Sequence, residues 1–502
     1  MPSPPTLSKS RFLAGLQCPK RLWFQVHEPG DHEAEGGVQF LLDQGAEIGR
    51  LARQLYPNGT EITAGFKEPA LALKQTAAAM AKGVKVLYEA AAEASGAFAR
   101  ADILVRVKVG QDQWDIYEVK SSGFLEEADV AEDKEQYLWD LALQRHAFEK
   151  ARHSIRKTCL VLVNKDFVRG GPVDPKLFFK IEDVSAEVAK RLPQIPALLK
   201  DLLLAVAHPS APQRDIGPHC NEPHTCPFQD RCWPEAGPEH IFSLRGLRWA
   251  KKFEHFHHGR TRIVDFPADE LTPWQTKQVL ALSSGRPVID AADLKGFIQG
   301  LQYPLYHLDF ETINPALPPF DGSSPFQQTV FQYSLHVQAK AGAEPQHFEF
   351  LPSHTGDPRP QLLAKLLDKL GTQGTILAYN MVFERGRLND LAERFPKQRA
   401  RIDAVVGRLQ DLMTPFAKGW YVHPAFEGSI SIKSVLPALI PGMTYVGMDV
   451  ADGGAAQRAY GEFLDPKSSI ERREEIRGQL LQYCGQDTLA MVRVLEFLRA
   501  QV

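Results

Sequence analysis

The sequence lacks an excess of charge of either sign. Its 502 residues include 58 lysines and arginines against 61 aspartates and glutamates, which gives a formal net charge of −3. Because no overall positive field would draw polyanions to the surface, contact with a nucleic acid requires local basic clusters. The remaining composition, 44% hydrophobic and 24% charged, is typical of a globular protein and excludes a largely disordered or collagen-like chain.

Long apolar stretches are also missing. The longest aliphatic runs are LVLV from Leu160 and LLLAVA from Leu202. Both are far shorter than the run of about 20 apolar residues that crosses a bilayer as a helix. The first residues, MPSPPTLSKSRF, contain no apolar signal core. We therefore expect a cytoplasmic protein with no membrane partner.

Cysteine is scarce, with six residues in the whole chain. This number is too small for a disulfide framework in a chain of this length. Cys159 and Cys484 stand alone in apolar surroundings, whereas Cys220, Cys226 and Cys232 are evenly spaced in a segment rich in proline and histidine. The even spacing favours a metal or cluster site over unrelated thiols.

Three regions follow one another along the chain, and an α/β fold class is expected. Helix and strand patterns alternate through residues 8–233, which close on the cysteine-rich segment HCNEPHTCPFQDRCWPE. Residues 234–302 have the pattern of a helical connector and include the basic stretch RWAKKFEHFHHGRTR. A second α/β pattern begins at YPLYHLDFET and fills residues 303–502. At roughly 150 residues per domain, this length suits two large domains and a connector.

In the first region, ADILVRVKVGQDQWDIYEVKSS predicts two strands joined by a turn. Asp102 begins the first strand, and Glu118 and Lys120 share one face of the second, since side chains alternate along a strand. Two carboxylates beside an amine can bind a divalent cation and steady the charge that develops in phosphodiester hydrolysis. A surface hairpin with alternating charges explains these three residues more simply when they are considered alone.

A helix downstream adds to this pattern. The segment DKEQYLWDLALQRHAFEKA predicts an amphipathic helix with Gln144 turned toward the hairpin. Together these residues resemble the PD-(D/E)XK nuclease superfamily, in particular its RecB-like branch, which includes the CRISPR-associated four-cysteine exonucleases and the AddB nuclease domain. The resemblance implies a restriction-endonuclease-like fold, Mg²⁺ or Mn²⁺ bound by Asp102 and Glu118, a catalytic Lys120 and an orienting Gln144. That branch often has a histidine in the upstream helix, where this chain offers Glu47 as a substitute.

Members of that branch hold a [4Fe-4S] cluster on one N-terminal and three C-terminal cysteines. The resemblance therefore implies a cluster on Cys18, Cys220, Cys226 and Cys232. Four thiolates from the two ends of a region would hold those ends together. The late cysteines of the branch usually begin with a Cys-x2-Cys pair. The wider spacing in this chain leaves zinc as an alternative.

The third region carries a second group of acidic residues. In YPLYHLDFETI, Asp309 and Glu311 occupy alternate positions of an apolar strand, where two inward carboxylates are costly without a cation. Glu384 lies at the start of a helix that follows the strand TILAY, and Tyr483 and Asp487 lie one turn apart on a C-terminal helix. Four carboxylates from separate segments can hold two metal ions about 4 Å apart, and Tyr483 can orient a water molecule.

This arrangement resembles the DnaQ-like DEDD exonucleases of the ribonuclease-H-like fold. The spacing Tyr483-x3-Asp487 matches their tyrosine subtype. The resemblance implies Mg²⁺ or Mn²⁺ on Asp309, Glu311, Glu384 and Asp487, although the second motif usually has aspartate at the position of Glu384. Joined to the first region, this pattern resembles a bacterial family of fused nucleases that contains a domain of unknown function.

These patterns predict a metal-dependent bifunctional nuclease that degrades DNA, with single-stranded ends as the expected substrate, in repair or in defence against foreign DNA. Candidate contacts to phosphates and bases are Lys9, Arg11, Lys20, Arg21, Arg245, Arg248, Lys251, Lys252, Arg260, Arg262 and Lys433, with Trp23, Phe24 and Trp249 for stacking. Two alternatives remain open. One is RNA processing by the second domain, and the other is a nucleic-acid-binding scaffold in which one nuclease centre is degenerate.

Metal analysis tests the assignment of the cysteines. We expect protein purified without oxygen to contain iron and labile sulfide in about equal amounts, because a [4Fe-4S] cluster contributes both. Inductively coupled plasma spectrometry and a sulfide assay measure these quantities. Stoichiometric zinc with iron and sulfide near zero would overturn the cluster and leave the zinc alternative.

Overall fold

The chain forms two compact units of mixed α/β structure. The computed structural model describes residues 6–29, 36–108, 110–123, 131–234, 237 and 239–502. The first unit comprises Met1–Trp233 with Pro315–Phe326, and the second comprises Pro234–Asn314 with Gln327–Val502. Residues 1–5, where the sequence shows no signal core, lie outside the described residues.

Helices and strands are interspersed along the first unit. In order they are β1 (Leu7–Ser8), α1 (Lys9–Gln17), α2 (Pro19–His27), α3 (Gly36–Ala52), β2 (Thr60–Glu61), α4 (Pro69–Ala81), β3 (Val86–Ala94), β4 (Ala97–Arg106), β5 (Gln113–Gly123), α5 (Ala131–Lys150), β6 (Ser154–Val163), α6 (Pro175–Phe178), β7 (Phe179–Asp183), α7 (Ser185–Arg191) and α8 (Ile195–Ala207).

A mixed sheet forms the centre of this unit, in the order β2-β3-β4-β5-β6-β7, with β1 beside β4. Strand β4 is antiparallel to its neighbours β3 and β5, whereas β5 and β6 are parallel. A parallel pair requires a crossover, and α5 supplies it. Buried Leu138, Leu141 and Phe148 hold α5 in the core of the unit, which is how a helix comes to lie against the middle of the sheet.

Helices and strands are likewise interspersed along the second unit. In order they are α9 (Trp249–His257), α10 (Pro273–Ser284), β8 (Val288–Ile289), α11 (Ala291–Gln299), β9 (Leu305–Ile313), β10 (Thr329–Gln338), β11 (Gln346–Phe350), α12 (Arg359–Lys369), β12 (Thr375–Ala378), α13 (Val382–Arg394), α14 (Arg399–Val406), β13 (Leu409–Asp411), α15 (Thr414–Ala417), β14 (Tyr421–Val422), α16 (Ile432–Leu439), α17 (Gly453–Leu464) and α18 (Ile470–Arg499).

A five-stranded sheet forms the centre of the second unit, in the order β11-β10-β9-β12-β13. The first three strands are antiparallel neighbours, and β12 and β13 run parallel to β9. Almost every residue of β9 and β10 is buried, as expected of strands covered on both faces. Residues 234–302, which the sequence predicts as a connector, form α9, α10, β8 and α11 and belong to this unit.

Helix ends follow local rules, which explains why these segments are helical. Thr272 and Gln275 form a capping box at the start of α10, Pro273 occupies its first turn, and Gly285 ends it in the left-handed conformation, with φ 65°. Ser469 caps the long helix α18 by accepting a hydrogen bond from the Arg472 N–H. In the described part of the chain, no helix combines the length and the apolar character needed to cross a lipid bilayer.

Packing of the second unit is testable at one ring pair. Phe331 and Tyr460 are fully buried, and their rings stack with centroids 3.8 Å apart and planes 4° from parallel. We expect Phe331→Ala to lower the free energy of unfolding by about 3–5 kcal/mol, because it leaves a cavity. Val382→Ala, at an exposed position, is the control and should stay within about 0.5 kcal/mol. Equal urea midpoints for the two variants would contradict this packing.

Candidate functional site

The first group of acidic side chains lies where β4 and β5 part. Backbone pairing between these strands runs from Arg106 to Ile103 on β4 and stops before Asp102. The Val119 N–H donates instead to Asp102 Oδ2 at 2.8 Å. The side chain of Asp102 therefore accepts the Val119 N–H, which a longer β4–β5 pairing would have bonded to backbone. This hydrogen bond holds Asp102 beside Glu118.

Helix α5 completes this group from above the sheet. Lys120 donates to Glu118 Oε1 at 2.8 Å and to Asp140 Oδ2 at 2.9 Å. Gln144 Nε2 donates to Glu118 Oε2 at 2.7 Å and to Asp140 Oδ1 at 2.9 Å. The structure thus brings together Asp102, Glu118, Lys120 and Gln144, the four residues that the sequence singles out in this region. It adds Asp140, which lies one helical turn before Gln144 and is buried.

A second ammonium group enters the same cluster. Lys9 Nζ lies 2.7 Å from Glu118 Oε1, 3.8 Å from Asp140 Oδ2 and 3.9 Å from Asp102 Oδ1. The three carboxylates therefore surround one point at which a positive charge is stabilised. Carboxylate oxygens are the donors that suit Mg²⁺ and Mn²⁺, so the residues present fit such a cation. Glu47, the substitute ligand expected on α3, has an exposed side chain.

The two buried carboxyl groups of this cluster, Glu118 and Asp140, have pKa values shifted in opposite directions. The pKa of Glu118 is raised to about 7, chiefly by burial and then by the carboxylates of Asp102 and Asp140. Burial also acts to raise the pKa of Asp140, but Lys120 and Lys9 outweigh it and hold that pKa below its usual range. The same carboxylates overcome burial at both lysines and raise their pKa. The group therefore contains two lysines that stay protonated, Lys9 and Lys120, and one carboxyl group, that of Glu118, with a pKa near neutrality.

The four cysteines that the sequence singles out line one small cavity of about 20 Å³. Cys18 lies between α1 and α2, while Cys220, Cys226 and Cys232 come from the segment that follows α8. Lys20, Arg21 and His219 line the same cavity. Burial raises the pKa of Cys226 and Cys232, so a metal ion or cluster would displace their protons on binding. Four cysteine sulfurs around one cavity are the donors that either would take, so the residue types present fit both.

Hydrogen bonds join the early and late parts of this pocket. Gln17 Nε2 donates to the carbonyl oxygens of His219 at 2.8 Å and of His224 at 2.7 Å, and Trp23 Nε1 donates to that of His208 at 2.9 Å. Trp23 and Phe24 are buried. The expectation that these two rings stack on bases is therefore wrong, since they pack α2 against the late cysteine segment.

The second group of acidic side chains lies between β9 and α18. Asp309 and Glu311 point to the same face of β9, and Cys484 on α18 donates its S–H to Asp309 Oδ2 at 3.5 Å. One ligand atom from each of these three residues lies within 4.8 Å of the other two, a spacing that could hold a metal ion. The buried Gln332 on β10 fixes α18 here, because it donates to the Leu480 carbonyl oxygen at 2.8 Å.

Two tyrosines and a lysine surround Asp487. The Tyr445 hydroxyl donates to Asp487 Oδ1 at 2.5 Å, and its ring lies 6.1 Å from that of Tyr483. Lys433 Nζ lies 5.6 Å from the centre of each ring and donates to the Ala451 carbonyl oxygen at 2.8 Å. A cavity of about 400 Å³ opens beside them, lined by Asp309, Glu311, Lys433, Tyr483 and Asp487.

Glu384 lies on the helix that follows the neighbouring strand β12. Because β12 runs parallel to β9, the helix α13 that follows β12 begins at the edge of the sheet where Asp309 lies. Glu384 is buried in the first turn of α13, and its Oε2 has no hydrogen-bond partner among the described residues. An unpaired buried carboxylate oxygen is costly, which makes a cation at this point a fitting partner.

Burial raises the pKa of every carboxyl in this second group. The pKa of Asp309 and of Glu311 is raised well above its ordinary value, first by removal from water and then by the other acids, with Asp487 foremost. The pKa of Glu384 is raised to about 8 by burial and by Asp411. That of Asp487 is raised only to about 6, because Tyr445 and Lys433 partly offset burial. The group is thus short of positive charge.

Sequence reasoning missed several members of the two groups. Asp140 had a detectable signal, since it precedes Gln144 by four residues and shares its helix face. Cys484 follows Tyr483 directly, but the sequence around it indicates only apolar surroundings. Tyr445 comes from a segment far from the motif it joins, so no local spacing indicates it. The sequence names Lys9 as a candidate phosphate contact, but no local spacing indicates that it joins the acidic group. Lys252, expected among the phosphate contacts, is buried and donates to the Phe242 carbonyl oxygen at 2.6 Å.

Comparison with protein families gives a match that lies mostly in the second unit. Residues 306–431, which include Asp309, Glu311 and Glu384, match the family described as Domain of unknown function (DUF2779). The match covers less than half of the chain, and it ends before Tyr445, Tyr483 and Asp487.

Mycoplasma proteins are similar to part of the chain. The uncharacterized protein UU173 of Ureaplasma parvum is 26% identical over 215 residues, which cover 38% of this chain and 31% of that protein. The uncharacterized MG366 homolog of Mycoplasma pneumoniae is 27% identical over 248 residues, which cover 46% of this chain and 36% of that protein. The chain thus spans about a third of the length of these curated relatives. The crystal structure of SSO0001 aligns with 42% of this chain and 90% of its own, at 14% identity and a TM-score of 0.18.

The raised pKa values predict how cation binding depends on pH. Below pH about 7 at Glu118 and about 8 at Glu384, each carboxyl holds a proton that a cation must displace. We expect Mn²⁺ affinity to fall as the pH drops from about 8.5 to about 6, by up to tenfold per unit for each proton released. Calorimetric titration at several pH values measures the Mn²⁺ affinity, and Glu384→Gln should remove the share of the pH dependence that comes from Glu384. Affinity independent of pH would contradict the prediction.

Proposed function

We propose that the chain is a metal-dependent nuclease with two centres that hydrolyses phosphodiester bonds of DNA, exonucleolytically and on single-stranded ends. The observation that carries this proposal is that each unit gathers several carboxylates, most of them buried, around one point. The clearest example is Asp309, Glu311 and Asp487 around a cavity of about 400 Å³. Such groups are costly unless a cation compensates them. Repair or defence against foreign DNA would suit this activity.

The folds that the proposal requires are a PD-(D/E)XK, RecB-like domain in the first unit and a ribonuclease-H-like, DnaQ-like domain in the second. The strand order β11-β10-β9-β12-β13 supports the latter, because a ribonuclease-H-like sheet has its first strand at the centre, the second and third antiparallel beside it, and later strands parallel on the other side. Support for the former is the parallel pair β5 and β6 with α5 as crossover, which sets Gln144 against Glu118.

Each residue of the first centre has a distinct task under this proposal. Asp102 and Glu118 would hold Mg²⁺ or Mn²⁺, which supplies Lewis acidity and lowers the pKa of water. Lys120 stays protonated, because Asp140 fixes it, and its ammonium group would steady negative charge on the phosphate. Gln144 orients Glu118 through its hydrogen bond to Oε2.

The second centre differs in its supporting side chains. Asp309, Glu311, Glu384 and Asp487 would hold Mg²⁺ or Mn²⁺. Tyr445 fixes the carboxylate of Asp487, and Tyr483, which also hydrogen-bonds to Asp487, would orient a water molecule. Lys433 lines the cavity from the first turn of α16 and would attract a phosphate.

The cysteine pocket would hold a structural [4Fe-4S] cluster, with zinc as the alternative. Cys18 on one side and Cys220, Cys226 and Cys232 on the other line a single cavity that joins the two ends of the first unit. Lys20 and Arg21 beside it would offset the negative charge of four thiolates.

Degradation of end-labelled single-stranded DNA with Mn²⁺ tests the two centres separately. We expect Lys120→Met and Asp309→Asn each to reduce one set of products by roughly a hundredfold or more. The first deletes the positive charge beside the phosphate, and the second deletes a carboxylate that would hold the metal ion. Labels on the 5′ and the 3′ end reveal the polarity of each set. RNA of the same sequence tests the RNA-processing alternative, which a preference for RNA by the second centre would support.

Matched controls are Lys176→Met in the first unit and Asp390→Asn in the second. Lys176 is exposed on α6, and Asp390 pairs with Arg387 on the helix that carries Glu384. Both controls should retain full activity. If one of the two site variants changed nothing while the other abolished all cleavage, one centre would be a binding module. Tight binding without any turnover would replace the nuclease proposal with a nucleic-acid-binding scaffold.

A further inference from the structure

The first centre contains a lysine that the nuclease motif does not account for. Lys120 belongs to the motif and already donates to Glu118 and Asp140. Lys9 comes from a segment more than a hundred positions earlier, and its Nζ lies 2.7 Å from the same oxygen, Glu118 Oε1. Two ammonium groups therefore share one buried carboxylate oxygen, although one of them would suffice to pair it.

The fold fixes Lys9 in this place. The short strand β1 pairs with the beginning of β4, with Leu7 opposite Ala97, so the chain enters the sheet just before Asp102. Lys9 is the first residue of α1 and follows directly on β1. At the other end of α1, Gln17 is tied to the carbonyl oxygens of His219 and His224. Both ends of α1 are therefore held, and Lys9 is not a freely moving surface side chain.

Charge counting indicates what Lys9 can do. Asp102, Glu118 and Asp140 carry three negative charges when ionised, and Lys9 and Lys120 carry two positive charges, which leaves a net charge of −1. A divalent cation makes the group positive, which favours a phosphodiester. Without Lys9, the same cation would be bound more tightly, since a repelling charge is removed, but the loaded centre would be neutral and would attract phosphate less.

We propose that Lys9 is a substrate-binding residue of the first centre, which yields Glu118 to the divalent cation and then contacts a phosphate of the nucleic acid. The proposal rests on the proposed function, because it needs both the cation and a phosphodiester. The Lys9 side chain is 30% exposed, so a phosphate can reach its ammonium group from solvent. Lys9 thereby makes two opposite contributions, one against the cation and one for the substrate.

Opposite changes in two affinities test this role in the full chain carrying Asp309→Asn, which weakens the second centre. We expect Lys9→Met to bind Mn²⁺ about tenfold more tightly by calorimetric titration, because the competing charge is gone. We expect the same variant to bind a cleavage-resistant, phosphorothioate-linked single-stranded oligonucleotide about fivefold more weakly with Mn²⁺ present. Binding of Mn²⁺ or oligonucleotide that persists in Glu118→Gln is subtracted from each measurement. The comparison is thereby confined to the first centre.

Two controls separate charge from structure. Lys9→Arg keeps the positive charge and should stay near the parent in both affinities, and Lys176→Met removes an exposed charge elsewhere in the unit and should change neither. Thermal unfolding checks that each variant is folded, and Lys9→Gln replaces Lys9→Met if the latter is not.

The contrary results are distinct. Unchanged or weaker Mn²⁺ affinity in Lys9→Met, with Glu118-dependent binding intact in the parent, would overturn the role of Lys9 and leave the nuclease proposal standing. Tighter Mn²⁺ binding with unchanged oligonucleotide affinity would overturn the substrate contact. A parent that bound no Mn²⁺ through Glu118 would overturn the inference together with the first nuclease centre.

Discussion

Burial of negative charge is the constraint on which both candidate centres depend. A carboxylate removed from water must be paired, protonated or bound to a cation. The first unit pairs its carboxylates with Lys120 and Lys9, and this keeps Asp140 ionised while the pKa of Glu118 rises to about 7. The second unit has Lys433 as a partial counter-charge, and the pKa of Asp309 and Glu311 rises well above its ordinary value. The second centre therefore has the greater need of a cation.

Both units meet this constraint with the same construction. A strand inside the sheet presents charged residues at alternate positions, Glu118 with Lys120 in the first unit and Asp309 with Glu311 in the second. A helix packed on the sheet adds polar residues one turn apart. In the first unit these are Asp140 and Gln144 on α5, and in the second they are Tyr483 and Asp487 on α18. The apolar residues between them anchor each helix in the core, so a shift of either helix would cost packing as well as electrostatics.

Helix α1 gives the first unit a further property. It begins at Lys9, which belongs to the acidic group, and it is followed directly by Cys18, which lines the cysteine pocket. One short helix therefore connects the two sites. Gln17 holds the second end by two hydrogen bonds to the late cysteine segment. The position of an ammonium group in the centre thus depends on contacts made at the cysteine pocket. A metal or cluster there would stabilise the unit and, through α1, the geometry of Lys9.

The sequence by itself determined the local relations. Alternation along a strand gave Glu118 with Lys120 and Asp309 with Glu311, and the four-residue helical repeat gave Tyr483 with Asp487, because these relations need only a few consecutive residues. The tertiary structure alone decided that Lys9, Tyr445 and Cys484 join the acidic groups and that Trp23 is buried. Those contacts depend on which strands pair and which helix covers them, as in the pairing of β1 with β4. Segments distant along the chain leave no periodic trace of such pairing, so only the folded chain reveals it.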